Sequence, residues 1–320
     1  MFVQLLGLLV GVIVLPYAAD QLVLGSAHVA RRLRIAPVVV GVIVIGLGTS
    51  APEFLVSGTA AAHGDTGIAL GNLIGSNILN ITLVLGVAAA IRVVVVSATV
   101  VDREIVLSLV SVAAFAVLAA IGLTWWGGLV LSIAAVVALV LLVRWARTDH
   151  ANQSVAEQAA EFSAEPDASR RPSMRGEVVR ALLGLAGVLL GAQLLVTNAA
   201  GMAARFGVPE IVIGFTLVAL GTSLPELMTT VQAQRRGETD LLVGNLFGSN
   251  LFNSLIGGGV VGVLSGTASP VRPHAGVLIA MVAVSVLAWL LLRRNFRITR
   301  IGSVILLGCY VLTVPVLLGT

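Results

Sequence analysis

The sequence predicts an all-α polytopic membrane protein, with ten transmembrane helices arranged as two inverted five-helix repeats. Three observations lead there: an apolar composition, one polar segment near the middle, and a pair of motifs that occurs twice. Of the 320 residues 58% are hydrophobic and only 11% charged, and the mean hydropathy is +1.06. A water-soluble chain of this length needs a far more polar surface. Apolar runs of about 20 residues, the length that crosses a bilayer, recur from end to end.

The first repeat, residues 1–146, reads as spans Phe2–Ala30, Val38–Ala61, Gly67–Ile91, Glu104–Ile121 and Trp125–Trp145. The opening segment lacks a basic start and is too long for a signal peptide. Residues 147–177 carry Ser, Glu, Asp, Pro and Arg without an apolar period, which predicts a flexible, solvated linker. The second repeat, residues 178–320, reads as Val178–Ala203, Ile211–Ala233, Leu241–Leu264, Ala275–Leu292 and Ile301–Leu318. Trp125, Trp126 and Trp145 fall near span ends and read as interfacial anchors. The single cysteine, Cys309, lies in the last apolar run and reads as a small buried hydrophobe. His28, His63, His150 and His274 sit at span ends or in loops, and no two have a ligand spacing.

Arginine sets the orientation. All nineteen basic residues are Arg, and only Arg205 and Arg272 fall on the side opposite the linker. Such a bias marks the cytoplasmic side, so the linker is expected in the cytoplasm of a multi-pass plasma-membrane protein and both termini outside. The isoelectric point near 10.5 follows from the same rule and does not point to nucleic acid. Stretches such as Arg293–Arg300 read as topology signals in contact with membrane lipid.

A shift of 173 residues lays Gly46–Gly86 on Ala219–Gly259 without a gap. "GLGTSAPE" at Gly46–Glu53 meets "ALGTSLPE" at Ala219–Glu226, and "GNLIGSNILN" at Gly71–Asn80 meets "GNLFGSNLFN" at Gly244–Asn253. Two copies with an odd number of spans enter the membrane in opposite senses. That is the inverted-repeat plan of secondary transporters, with the site at mid-membrane where the repeats meet.

The motif's chemistry is that of a hard-cation site. A carboxylate at mid-membrane costs about 2.5–3.5 kcal/mol on insertion scales and marks an ion path. One glutamate could be protonated and held for packing; Glu53 and Glu226, related by the repeat, fit that account poorly. Pro52 and Pro225 have no N–H, so the carbonyls of Gly48 and Gly221 lose their helical partners. Threonine and serine add hydroxyl oxygens. Carboxylates, hydroxyls and loosened carbonyls suit calcium, whereas softer metals want His or Cys, and neither occurs in these stretches. In the second motif Ser76 and Asn80, like Ser249 and Asn253, are four residues apart on one helical face. Gly71 and Gly75, like Gly244 and Gly248, have the spacing of close helix packing. Asp20, in the first span with Gln193 at the matching place, reads as an interface or packing residue, and otherwise as part of the ion path.

The paired "GTSxPE" and "GNxxGSNxxN" segments resemble the alpha-repeats of the cation/calcium exchanger superfamily, and most of all the prokaryotic sodium/calcium exchangers. The resemblance implies four cation positions at the centre. Glu53 and Glu226, with the carbonyls of Thr49 and Thr222, would hold calcium. One sodium position would use the Gly46 carbonyl, Thr49, Glu53 and Ser76; its mirror would use the Ala219 carbonyl, Thr222, Glu226 and Ser249. Asn80 and Asn253 would line the middle, and Ser50 and Ser223 would support the helix break or the sodium positions. Some relatives carry aspartate at the place of Asn253, where it serves potassium coupling; the neutral residue here argues against potassium dependence. The proton-coupled branch usually shows further acids in the second motif, and this chain shows none.

The expected function is therefore a sodium/calcium antiporter working by alternating access as a monomer, with Ca2+ and Na+ as cargo and no cofactor. A calcium/proton antiporter is the alternative. A cation channel usually builds its pore from symmetric subunits or a carbonyl filter, and an intramembrane hydrolase would need a nucleophile or base that the motifs lack; both fit less well. The orientation has a direct test: a reporter fused at Ser154 is expected to report cytoplasm and one at the C-terminus the outside, and the opposite result at both would invert it.

Overall fold

The computed structural model describes residues 2–33, 35–148, 173–206, 219–265 and 272–317. Most of the linker expected at 147–177, and the start of the span expected from Ile211, lie outside the described residues. Within them the chain is helical apart from short loops and two two-residue strands. Seven helices are long and apolar enough to cross a membrane, and an eighth span results if the pair Pro37–Thr49 and Ala51–Ala62 is taken as one segment bent by 44°. Arg300–Thr313 is a shorter apolar helix. The fold is thus a helical polytopic membrane bundle; the full count of ten spans reaches into residues that are not described.

The first helix, α1 (Phe2–Leu33), carries Pro16 in its interior. Next come α2 (Pro37–Val40), a π-helical stretch at Gly41–Gly46, α3 (Leu47–Thr49) and α4 (Ala51–Ala62). Then α5 (Thr66–Leu79) runs through a π stretch at Asn80–Val84 into α6 (Leu85–Ile91). After β1 (Val94–Val95) come α7 (Ala98–Asp102), α8 (Glu104–Ile121) and α9 (Trp125–Thr148). The second half opens with α10 (Met174–Arg205), then α11 (Ala219–Thr222) and α12 (Leu224–Arg236). It continues with α13 (Thr239–Phe252), a π stretch at Asn253–Gly257, α14 (Gly258–Leu264), α15 (Ala275–Asn295), β2 (Arg297–Ile298) and α16 (Arg300–Leu317).

Pro52 and Pro225 begin helices at a break in the chain. Pro52 sits in the first turn of α4 and Pro225 in the first turn of α12, where a missing N–H costs nothing. The residues before those helices, Ser50 (φ −79°, ψ 4°) and Ser223 (φ −93°, ψ 5°), hold almost the same non-helical backbone. The repeat in sequence is therefore a repeat in local structure. Two π stretches also match, beginning at Asn80 and Asn253. The widened turn interrupts the regular ladder where the second motif ends, a device frequent at functional sites.

Burial is graded from the outside in. The faces of α1, α9 and α10 leave Ile13, Val136 and Leu183 exposed, as lipid contact requires. At the centre every residue of α13 from Leu241 to Phe252 is buried. It can be, because its glycines admit another backbone: a Cβ at Gly248 would stand 2.7 Å from the Cα of Val42. Close packing predicted for Gly244 and Gly248 is thus seen, and the partner is the broken second span. For Gly71 and Gly75 a Cβ would meet nothing within 4 Å among the described residues.

The strands pair antiparallel, Val94 with Ile298 and Val95 with Arg297, and Val96 N–H donates to Phe296 O at 2.9 Å. This clip joins the loop after α6 to the loop after α15. Beside it, Gln234 of α12 donates its side-chain amide to the Arg92 carbonyl. Trp125 and Trp126 meet edge to face at 4.7 Å, while Arg103 lies 6.0 Å from the Trp145 ring.

The glycine contact predicts its own test. Gly248→Val should force α13 off Val42, and overpacking of this kind costs about 1–3 kcal/mol. A lower thermal midpoint in detergent, with Gly71→Val affected less, is the expected result.

Candidate cation site

Glu53 and Glu226 are both fully buried, 0% exposed, in the first turns of α4 and α12. Carboxylates beside the free N–H groups of a helix start gain from the macrodipole, which explains locally why the helix break and the glutamate come together. Their other partners come from both repeats. Glu53 Oε1 accepts from Ser223 Oγ at 3.3 Å and from Ser76 Oγ at 3.4 Å. Glu226 Oε1 accepts from Ser50 Oγ at 3.2 Å and from Ser249 Oγ at 3.4 Å. Each glutamate therefore has the first-motif serine of the other repeat and the second-motif serine of its own.

This geometry corrects one expected grouping. The Gly46 carbonyl accepts from Ser249 Oγ at 3.1 Å, and Thr49 Oγ1 donates to Asn245 Oδ1 at 3.2 Å. Gly46 is thus joined through Ser249 to Glu226, and Thr49 to the second repeat's motif, while Ser76 and Glu53 join Ser223. The sequence register aligns residues that are equivalent, and equivalence under an inverted repeat is not proximity. Ala219 opens α11, directly before the Thr222–Ser223 pair.

The amides divide unequally. Asn80 Nδ2 donates to Asn250 Oδ1 at 3.1 Å, and Asn250 Nδ2 donates to the Asn77 carbonyl at 2.9 Å. Asn77 Nδ2 donates in turn to Ser254 Oγ at 3.0 Å. Asn253, expected to mirror Asn80, is 0% exposed and has neither amide atom hydrogen-bonded among the described residues. The second oxygens of Glu53 and Glu226, and Asn80 Oδ1, are buried without a hydrogen-bond partner as well. Buried polar atoms of this kind are costly unless something satisfies them. A hard cation does so for oxygens, and these are all-oxygen surroundings apart from the asparagine nitrogens. Among the described residues no three His, Cys, Asp or Glu form a metal-binding group, so the donor set is two carboxylates plus neutral oxygens.

Four residues in the site escaped assignment from sequence: Asn72, Asn245, Asn77 and Asn250. Asn72 Nδ2 lies 3.0 Å from Ser57 Oγ and 3.4 Å from the Glu53 carbonyl. Asn245 Nδ2 lies 3.1 Å from Thr230 Oγ1 and 3.4 Å from the Glu226 carbonyl. The repeat alignment, which pairs 72 with 245 and 77 with 250, held the signal. Asp20 is paired with Arg236, which grips it through two hydrogen bonds of 2.6 and 2.7 Å. Arg31 pairs with Glu238, and His28 Nδ1 stands 3.0 Å from Glu177.

A repeat-built helical membrane bundle with paired buried carboxylates among hydroxyls defines a class of proteins, the cation transporters. Comparison with known proteins narrows the class. The family model described as "Sodium/calcium exchanger protein" matches residues 3–144 and 177–319, and the chain belongs to that family. The sodium/calcium exchanger MaX1 of Methanosarcina acetivorans is 27% identical over 348 residues, 98% of each chain. The inner membrane protein YrbG of Escherichia coli is 34% identical over 318 residues, 97% of this chain and 95% of the relative. The solved structure of the sodium–calcium exchanger NCX_Mj soaked with Na+ and Ca2+ superposes with a TM-score of 0.84 at 33% identity, covering 98% of each chain. The protein is accordingly a multi-pass integral membrane antiporter of the sodium/calcium exchange family.

Glu53→Gln and Glu226→Gln retain shape and remove one charge each. With calcium bound, losing one carboxylate leaves part of the ion's charge unpaired, on the scale of a broken buried ion pair at about 3–5 kcal/mol, so calcium-dependent exchange in liposomes should fall at least about 100-fold in each. The variants should still elute as folded protein. Wild-type exchange by either would remove the carboxylates from the transport site.

Proposed function

We propose that this chain moves calcium against sodium by alternating access, with no requirement for potassium. The observation that carries the reading is the reciprocal clothing of two buried carboxylates by the hydroxyls of the opposite repeat. Calcium would take Glu53, Glu226 and the carbonyls of Thr49 and Thr222. Sodium would take the two flanking groups: Gly46 carbonyl, Thr49, Ser249 and Glu226 on one side, Ala219 carbonyl, Thr222, Ser76 and Glu53 on the other. Asn80 and Asn253 line the space between, while Ser50 and Ser223 support the carboxylates at the helix breaks that Pro52 and Pro225 create.

Charge balance supplies the coupling. Two ionised carboxylates without counter-charge are expensive to carry through a low-dielectric interior. One Ca2+ neutralises them, and so do several Na+ that also use the hydroxyl oxygens. Access switches sides with either cargo, and the inward sodium gradient then expels calcium. NCX_Mj, soaked with these two ions, supports the choice of cargo.

The architecture of this reading is ten spans in two inverted five-helix units, residues 1–146 and 178–320, with residues 147–177 as the cytoplasmic linker. Both termini face outward from the plasma membrane, and the monomer is the working unit. Its neutral Asn253 leaves two carboxylates for cargo, enough for calcium alone and one short of calcium with potassium.

The test is calcium uptake into sodium-loaded liposomes, with each gradient imposed separately. Uptake should follow the sodium gradient and stay unchanged when choline replaces potassium on both sides. A requirement for potassium would overturn the potassium-independent reading, and uptake driven by a proton gradient alone would make the chain a calcium/proton antiporter.

A further inference from the structure

Asn245 opens the second "GNxxGSN" stretch and is 1% exposed. Its amide serves both repeats at once. Nδ2 lies 2.9 Å from Thr229 Oγ1, 3.1 Å from Thr230 Oγ1 and 3.4 Å from the Glu226 carbonyl, while Oδ1 accepts from Thr49 Oγ1 at 3.2 Å. The orientation is determined by chemistry. Thr229 Oγ1 donates to the carbonyls of Pro225 at 2.7 Å and Glu226 at 3.1 Å, so it must accept from Asn245. A flipped amide would set its oxygen against the Glu226 carbonyl. The Asn245 oxygen is thereby aimed across the repeat boundary at Thr49.

Thr49 has a single hydroxyl hydrogen and two acceptors for it, the Ile45 carbonyl at 2.9 Å and Asn245 Oδ1 at 3.2 Å. Its direction matters to a cation. A hydroxyl that points its hydrogen at Glu226 turns a positive end toward the place where a cation would sit. One that points its hydrogen away presents lone pairs there.

We infer that Asn245 is a positioning residue for the sodium that shares Glu226 and Thr49: beside the Ile45 carbonyl, it is the side-chain acceptor that holds the Thr49 hydrogen away from Glu226 and leaves the oxygen lone pairs turned inward. The inference rests on the sodium reading of the group Gly46, Thr49, Ser249 and Glu226. It separates the two cargoes, because calcium would draw on the main-chain carbonyl of Thr49, which no hydroxyl rotation alters.

The experiment measures sodium and calcium half-saturation separately in liposomes. Asn245→Ala should raise the half-saturating sodium concentration about three- to ten-fold, the scale of one net hydrogen bond, with calcium half-saturation and maximal rate near wild type. If that variant does not accumulate, Asn245→Ser keeps a polar group beside Thr229 and Thr230, is too short to reach Thr49, and should give the same shift. Thr49→Val should also raise the sodium value, and adding Asn245→Ala to it should change nothing more. Thr230→Val removes an acceptor on the nitrogen side only, so it should lower the thermal midpoint and leave sodium half-saturation alone. The inference is overturned if Asn245→Ala shifts sodium and calcium equally, if Thr230→Val reproduces the sodium shift, or if the effects of Asn245→Ala and Thr49→Val add in full. Calcium uptake by the wild type that ignores sodium would sink the sodium reading together with it. Normal sodium dependence in Asn245→Ala beside a shift in Thr49→Val would sink the positioning role alone.

Discussion

A carboxylate held away from water must find its partners within the protein, and here each buried glutamate finds them across the repeat boundary. Ser50 reaches Glu226 and Ser223 reaches Glu53. Neither half can complete its own site, so the two halves must meet face to face at the level of the helix breaks. Much else follows from that requirement. The breaks at Ser50 and Ser223 place a helix start beside each acid, the π stretches at Asn80 and Asn253 widen the turn below the motif serines, and the glycines of α13 let two backbones come close enough for the serines to reach.

How much of this was legible in the sequence depended on whether the information was local or paired. Hydrophobic runs, the polar interruption at 147–177 and the double motif are local, and they led to the membrane bundle and to residues that do gather around the two acids. Proline at a fixed offset before glutamate announced a break in the helix. The pairing of Ser249 with the Gly46 carbonyl was not legible, because a linear register says which residues are equivalent and not which ones touch. Asp20 shows the same limit: its partner, Arg236, is 216 residues away, and no period connects them. Asn245 was visible in the repeat but had no role until Thr49 was seen at the other end of its amide.

The two halves are near copies in plan and unlike in detail. Asn80 is tied to Asn250, whereas the equivalent amide of Asn253 has no hydrogen bond among the described residues. Glycines 244 and 248 lie against the second span, and a Cβ at Gly71 or Gly75 would meet no described atom. A bundle of identical halves would have to look the same from both faces of the membrane. Differences of this kind are what a single structure of an inverted-repeat protein must contain if only one face is open to the site at a time.

The ion pairs at the linker end of α1 break the copy in another way. Asp20 with Arg236, and Arg31 with Glu238, fasten α1 to the end of α12 and the start of α13. The positions 173 residues away hold Gln193 with His63, and Ala204 with Asp65, which cannot form the same pairs. An arrangement in which the halves had exchanged roles would have nothing to replace these attractions. Partly exposed pairs are worth up to about 1 kcal/mol each, and about 1 kcal/mol is a five-fold difference in population. If the chain works by alternating access as proposed, these four charged side chains would give it a built-in preference between the two orientations.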